Sequence, residues 1–131
     1  MKTKINTTKE QSEKLIELGL DVKTADMFLA LDGTVSVVAP YIEDDSETAY
    51  KGAIPSWSLA ILLKIFPFIN IITFKCKFRC EYWKDEWSCG PEYVTYYYED
   101  VIDAVFEIMC WLLKNNYIKE YESYKRRTQK N

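Results

Sequence analysis

The segment from about Glu99 to Asn115 limits the fold more than any other part of the chain. Its charged residues Asp100, Asp103, Glu107 and Lys114 recur at helical spacing on one narrow stripe. Nearly everything else is apolar: Val101, Ile102, Val105, Phe106, Ile108, Met109, Trp111, Leu112 and Leu113. A helix reads this way only when most of its circumference is covered. The charged stripe reads as its solvated side. Acids at its start and a lysine at its end also suit the helix dipole. This is the element a sheet is expected to fold around.

A sheet is announced just upstream, where the apolar period changes to two. Phe74, Cys76, Phe78, Cys80 and Tyr82 alternate with Lys75, Lys77, Arg79, Glu81 and Trp83, which predicts a half-buried antiparallel strand. A turn near Lys84-Asp85 would return the chain through Trp87 and Cys89. In that register Cys80 faces Cys89, and Tyr82 faces Trp87. Gly90-Pro91 breaks the return, and Tyr93 to Tyr97 reads as a third strand of a meander.

Other elements carry local signals. Thr8 with Gln11 forms a capping box for a helix reaching Leu18, with Leu15, Ile16 and Leu18 inward and Gly19 as its left-handed terminus. Thr24 is expected to cap a short helical turn over Ala25-Asp26-Met27. Asp32-Gly33, inside the run Phe28 to Val38, predicts a hairpin of two short strands. Glu43 to Thr48 reads as an exposed acidic loop; it lacks the glycine and ligand spacing of a calcium site. Ser58 is the clearest helix start, with Trp57 placed to staple onto Leu62 and Pro67 ending the helix.

Together these predict an α+β fold. A small antiparallel meander of three or more strands packs against the long C-terminal apolar helix and two shorter helices. Residues 1–118 form one domain, a size that supports a core without disulfides or metal. Residues 119–131 form a basic polar tail, either a helical extension with Tyr117, Tyr121 and Tyr124 on one face, or loose.

Several chemistries are disfavoured. No secretory leader follows Met1, and Lys64, Pro67 and Asn70 interrupt the apolar stretch from Trp57 to Phe74. That stretch falls short of the roughly 20 residues of a membrane span. It reads instead as a buried helix followed by a buried strand. Four cysteines without a leader point to reduced thiols and a cytoplasmic setting. Cys76 and Cys80, four apart on a strand, would lie about 13 Å apart, too far to share one zinc. There is no histidine to complete such a site, or to activate a serine or cysteine nucleophile. Four scattered glycines exclude a phosphate loop. No cofactor, metal or catalytic residue is expected, and an enzyme is disfavoured.

Two groups of segments resemble a known family. Pro55-Ser56-Trp57-Ser58-Leu59 with Leu62-Leu63 and Pro67, and Ile102-Asp103-Ala104 with Glu107, Cys110-Trp111-Leu112-Leu113 and Asn115, look like small uncharacterised proteins of Bacteroides-type gut bacteria. These are often found among genes of phages and integrated elements. Thr8 to Ser12 and Thr24 to Met27 resemble the opening of the same family. The matching positions are caps and core, so the resemblance implies a fold and an accessory context, and no activity.

What remains is a choice between two kinds of binder. The first is a protein-interaction module, or a self-associating protein, using Trp83, Tyr93, Tyr96, Tyr97 and Tyr98. Alternation along Tyr96-Tyr97-Tyr98 forces at least one ring outward, and tyrosine is favoured at interfaces. The bland counterpart is a monomer whose rings lie flat over its sheet. The second is a single-stranded nucleic-acid binder using Lys75, Lys77 and Arg79 beside Trp83, plus the tail cations Lys125, Arg126 and Arg127. A net charge of −3 argues against it. The tail also reads simply as solubilising.

Overall fold

A computed structural model describes residues 4–30, 35–37, 54–85, 87 and 89–129. The fold is α+β, and the described residues form four α-helices and two antiparallel sheets of three strands each. The helices are α1 (Lys9–Glu17), α2 (Leu59–Ile65), α3 (Val101–Lys114) and α4 (Tyr117–Gln129). The first sheet contains β1 (Met27–Leu29), β2 (Val35–Val37) and β3 (Ile54–Ser56), in the order β2-β1-β3. The second contains β4 (Ile69–Phe74), β5 (Lys77–Tyr82) and β6 (Tyr93–Val94), in sequence order, and is therefore a meander.

Helix α3 is the centre. Ile102, Ala104, Val105, Ile108, Met109, Leu112 and Leu113 are all buried, and the helix lies against β5. Around it close Leu15 from α1, Leu62 and Ile65 from α2, Cys80 and Tyr82 from β5, and Ile118 from α4. The charged stripe does not behave as one solvated side. Asp100 caps the helix, Asp103 pairs with Lys4 at 2.8 Å, and Glu107 is drawn into the sheet. Of its members only Lys114 is fully exposed.

The helix starts agree with their local chemistry. Thr8 and Gln11 form the reciprocal capping box of α1, and Gly19 follows at φ +103°. Ser58 caps α2 by accepting from the Ile61 amide, while Trp57 before it and Leu62 after it are fully buried. Thr24 caps nothing. It ends a 3-10 turn, Val22–Thr24, whose cap is Asp21, and its hydroxyl accepts from the Trp57 indole at 2.9 Å. Met27 belongs to a strand. Strands β1 and β2 pair antiparallel as the hairpin reading expects; the Asp32-Gly33 turn and the acidic loop at Glu43 to Thr48 lie outside the described residues.

The long alternating strand is corrected. Lys75 and Cys76 have φ of 50° and 62°, the left-handed pair of a two-residue hairpin turn, and β4 folds back onto β5 with Phe74 opposite Lys77. In the sequence the apolar alternation runs unbroken through the turn and so hides the reversal, whereas in the fold Phe74 shares a face with Lys77 and Arg79, opposite Phe78 and Cys80. Cys76 is thus an exposed turn residue. The apolar run ending at Phe74 is not a buried strand either: Asn70, Ile71, Thr73 and Phe74 are exposed along the sheet edge.

The return strand is corrected as well. Tyr82 faces Tyr93, not Trp87, and Cys80 lies beside Thr95, not Cys89. Trp87 is 89% exposed and Cys89 is exposed. The third strand shrinks to β6, with one further bridge between Phe78 and Tyr98. The tail takes its helical form as α4. Tyr117 and Tyr121 pack on the core, while Tyr124 is exposed. No helix among the described residues is long and apolar enough to cross a membrane.

Candidate functional site

Two places hold the residues singled out above. The first is Glu107, midway along α3. Between Cys80 and Phe78 on β5 there is one residue, Arg79. Between their neighbours Thr95 and Tyr98 there are two. The bonds Thr95 N to Cys80 O (3.0 Å), Phe78 N to Tyr98 O and Tyr98 N to Phe78 O (both 2.7 Å) frame this mismatch. It is a β-bulge, which re-aims the side chains around it. Thr95 completes it by accepting the Cys80 amide on its hydroxyl at 2.9 Å.

The bulge brings three donors onto one carboxyl. Tyr93 donates its hydroxyl to Glu107 Oε2 at 2.6 Å, and Tyr98 donates to Oε1 at 2.7 Å. The Tyr96 amide also donates to Oε1, at 3.3 Å. Burial, and then the hydrogen bond to Glu107, push the Tyr93 phenol up to about 12. The same causes raise Tyr98 well above the ordinary tyrosine value. Burial and the Glu107 charge push the Cys80 thiol up to about 12. Both phenols therefore stay neutral donors near pH 7. Chemically, the arrangement fastens the sheet to α3 through a carboxyl whose two oxygens already accept three donors.

Tyr93 also stacks on Trp111, with ring centroids 4.7 Å apart. From Trp111 a chain of rings runs through Tyr117, Tyr82 and Phe66 to Tyr121 and Phe68. Offset and edge-on ring pairs each add about 0.5–1.5 kcal/mol beyond area burial. This seam is what holds α4 on the domain, and it accounts for much of the aromatic content.

The second place is the outer face of the β4-β5-β6 sheet and its β4 edge, which is free of any strand among the described residues. Glu81 is 8% exposed; it accepts from Arg79 and from the Trp83 indole, both at 3.0 Å. Arg79 lies over the Tyr97 ring at 5.0 Å, and Tyr97 meets Phe74 at 6.0 Å. Tyr96 is 78% exposed. The proposed aromatic surface is therefore divided. Tyr93 and Tyr98 turn in to Glu107, Trp83 serves Glu81, and Tyr96 and Tyr97 face outward.

The cations are divided too. Lys75 and Lys77 are exposed at the hairpin turn, whereas Arg79 is half-buried in its ion pair. Lys125, over the Tyr121 ring at 5.2 Å, begins the basic end of α4 with Arg126 and Arg127. Tyr121 packs on Phe68, beside the Ile69 end of β4. The two cation groups thus sit at opposite ends of a strand about 17 Å long.

Three apolar residues of this region lie at the surface against the sequence reading, which leaves Phe68 and Ile71 unremarked and sets Phe74 on the inward face: their exposures are 54%, 37% and 57%. Their signal was the uncharged run Pro67 to Phe74, which a buried strand and an uncovered edge produce alike.

Comparison of the chain with protein-family models, with curated proteins and with solved structures finds no match. The family resemblance therefore rests on the sequence segments quoted for it.

Proposed function

We propose that this chain is a small accessory binding protein whose partner is another protein chain, engaged at the free edge of β4. One observation carries the reading. A six-residue edge strand without a single charged residue leaves Ile71 and Phe74 exposed, with exposed Phe68 just before it and Tyr97 against Phe74. Edge strands are ordinarily blunted by charge, proline or a covering element, because their free backbone groups recruit other strands. A bare apolar edge is a pairing surface.

A binding role, not a catalytic one, is favoured by the lack of histidine and by the engagement of Glu107 with three donors. The setting we propose is cytoplasmic, in keeping with four free cysteines. An accessory role among mobile genetic elements is what the family resemblance suggests.

Single-stranded nucleic acid is the second reading, supported by exposed Lys75, Lys77, Arg126 and Arg127. Against it stand the separation of these groups and the commitment of Arg79 and Trp83 to Glu81. Affinity capture from a host lysate, repeated with an Ile71→Lys bait, tests the choice. Specific protein partners lost with the variant support the edge. A chain that captures no protein yet shifts single-stranded DNA, with affinity falling steeply in salt, reverses the choice.

A further inference from the structure

We infer that the partner on this edge is a second copy of the chain, paired antiparallel through β4 about a two-fold axis at Ile71. The inference rests on the proposed function and deepens it by naming the partner.

The register follows from the hairpin. In a two-residue turn the flanking pair, Phe74 and Lys77, exchanges both backbone bonds, and bonded pairs then alternate along the strands. Ile72 and Asn70 are thus bonded to β5. Consistently, Phe78 and Cys80 on β5 direct their backbone groups the other way, to Tyr98 and Thr95. The backbone groups of Ile69, Ile71 and Thr73 therefore point out from the free edge.

A two-fold axis at Ile71 uses all three. Ile71 pairs with Ile71 of the other copy, and Ile69 pairs with Thr73 in both directions. Each exchanges both of its bonds. The same rotation keeps inner face against inner face, so the two sheets continue as one. It is an isologous contact and closes at two copies.

The side chains agree with self-pairing. No charged residue lies between Ile69 and Phe74, so like charges never meet along the strand. The register sets exposed Phe74 of one copy beside exposed Phe68 of the other, once at each end. That end carries a groove lined by Pro67, Phe68, Asn70, Trp83, Lys84 and Asp85. The cation of Lys75, which rides over the Phe74 ring at 5.3 Å, arrives where Asp85 sits among these residues. Pro67 has no amide to donate, so pairing ends there.

The test is sedimentation of the full chain over a range of concentrations, with three kinds of variant. The wild-type chain is expected to show a reversible monomer–dimer equilibrium. Thr73→Pro removes an outward amide and spares the hairpin ladder. It should weaken dimerisation roughly tenfold or more, since two hydrogen bonds are lost by symmetry. Ile71→Lys sets two cations face to face and should leave only monomer, with an unchanged circular dichroism spectrum. With Cys76→Ser and Cys89→Ser in place, mild oxidation should cross-link the chain through Ile71→Cys and not through Ile72→Cys.

A wild-type chain that stays monomeric overturns the inference. So does a dimer indifferent to both Thr73→Pro and Ile71→Lys, or cross-linking through Ile72→Cys alone. If the chain is monomeric but captures a different protein in a manner lost with Thr73→Pro, the inference falls and the proposed function stands. A monomer that captures no protein removes both.

Discussion

Tyr98 reaches Glu107 from the far side of a β-bulge, its hydroxyl donating to Oε1 at 2.7 Å. Tyr93 reaches the other oxygen from ahead of the bulge, at 2.6 Å. The extra residue between Thr95 and Tyr98 lets both phenols meet one carboxyl while the intervening Tyr96 ring stands in solvent. Strand β6 is only two residues long, so ladder bonds alone hold this segment weakly. Glu107 is the anchor that joins it to α3.

Removing that anchor should therefore destabilise the whole domain. Glu107→Leu leaves two phenols and one amide without their acceptor, and is expected to cost about 2–4 kcal/mol, since hydrogen bonds to charged groups contribute about 1.5–3 kcal/mol. Glu107→Gln keeps an acceptor oxygen and should cost about half as much. A triple variant adding Tyr93→Phe and Tyr98→Phe to Glu107→Leu should lose less than the sum of its parts. Urea unfolding of the set measures this. Additive losses would show that the three side chains do not act as a unit.

The same cluster predicts the alkaline limit of stability. An unfolded tyrosine titrates near 10, whereas folded Tyr93 is held up to about 12, and Tyr98 is also raised. Each folded pKa exceeds its unfolded value, so the contribution is fully present below pH 10. It is lost as the pH rises from 10 through the folded values, because only the unfolded chain releases these protons. Stability measured by urea between pH 9 and 12 should fall across that window. The fall should be shallower in Tyr98→Phe, and an equal slope in that variant would discount the assignment.

Much of the fold was legible in the sequence, and the reasons are local. The Thr8–Gln11 box and the Ser58 cap each rest on residues within one helix turn, and the α3 helix on an apolar period repeated along its length; both caps and the helix hold, though its charged stripe is not a solvated side. The β4–β5 hairpin was hidden because Lys75-Cys76 carries neither glycine nor asparagine, and hydrophobic alternation passes through it unbroken. The Glu107 cluster was hidden for a different reason. It depends on a bulge and on partners 9 and 14 residues away, and no periodicity records either. A charged stripe on an apolar helix looks the same whether water or tyrosine hydroxyls meet it.

The turn itself offers a stabilising change. Both Lys75 and Cys76 occupy left-handed backbone, at φ 50° and 62°, where residues bearing a Cβ are disfavoured. Asparagine and glycine are preferred at these two positions of a two-residue hairpin. Lys75→Asn with Cys76→Gly should raise stability by about 1 kcal/mol, relief of roughly the size of one left-handed penalty. Thermal melts would register this as a higher midpoint. A lower one would place the hairpin reversal elsewhere.

Ser58 joins two parts of the chain, so its loss should exceed that of an ordinary cap. Its hydroxyl accepts from the Ile61 amide and donates to Asp26, whose other oxygen accepts the Ser58 amide. Ser58→Ala removes the cap, worth about 0.5–2 kcal/mol, and also takes a donor from Asp26. Ser58→Asp keeps a capping oxygen but faces it toward Asp26, so repulsion should prevent rescue. Ser58→Thr should restore most of the stability. If Ser58→Asp matched the wild type in urea unfolding, the bond to Asp26 would carry no weight.

The four thiols should divide into two kinetic classes. Cys76 and Cys89 are exposed, so a disulfide reagent at pH 8 should modify them quickly. Cys80 is buried, and burial with the nearby Glu107 charge pushes its thiol up to about 12. Burial also pushes Cys110 up to about 11, although the charges of Lys114 and Lys14 oppose the rise. Only the thiolate reacts, so at pH 8 Cys80 presents roughly one part in ten thousand in reactive form. Two thiols should react at once and two only as the chain opens, with four released in denaturant under non-reducing conditions. Glu107→Gln removes the charge beside Cys80 and loosens the sheet, so it should bring the slow class forward. Three or four fast thiols in the native chain would mean that Cys80 or Cys110 is not enclosed as described. Only two in denaturant would mean that a pair had oxidised, which would count against a reducing compartment for this protein.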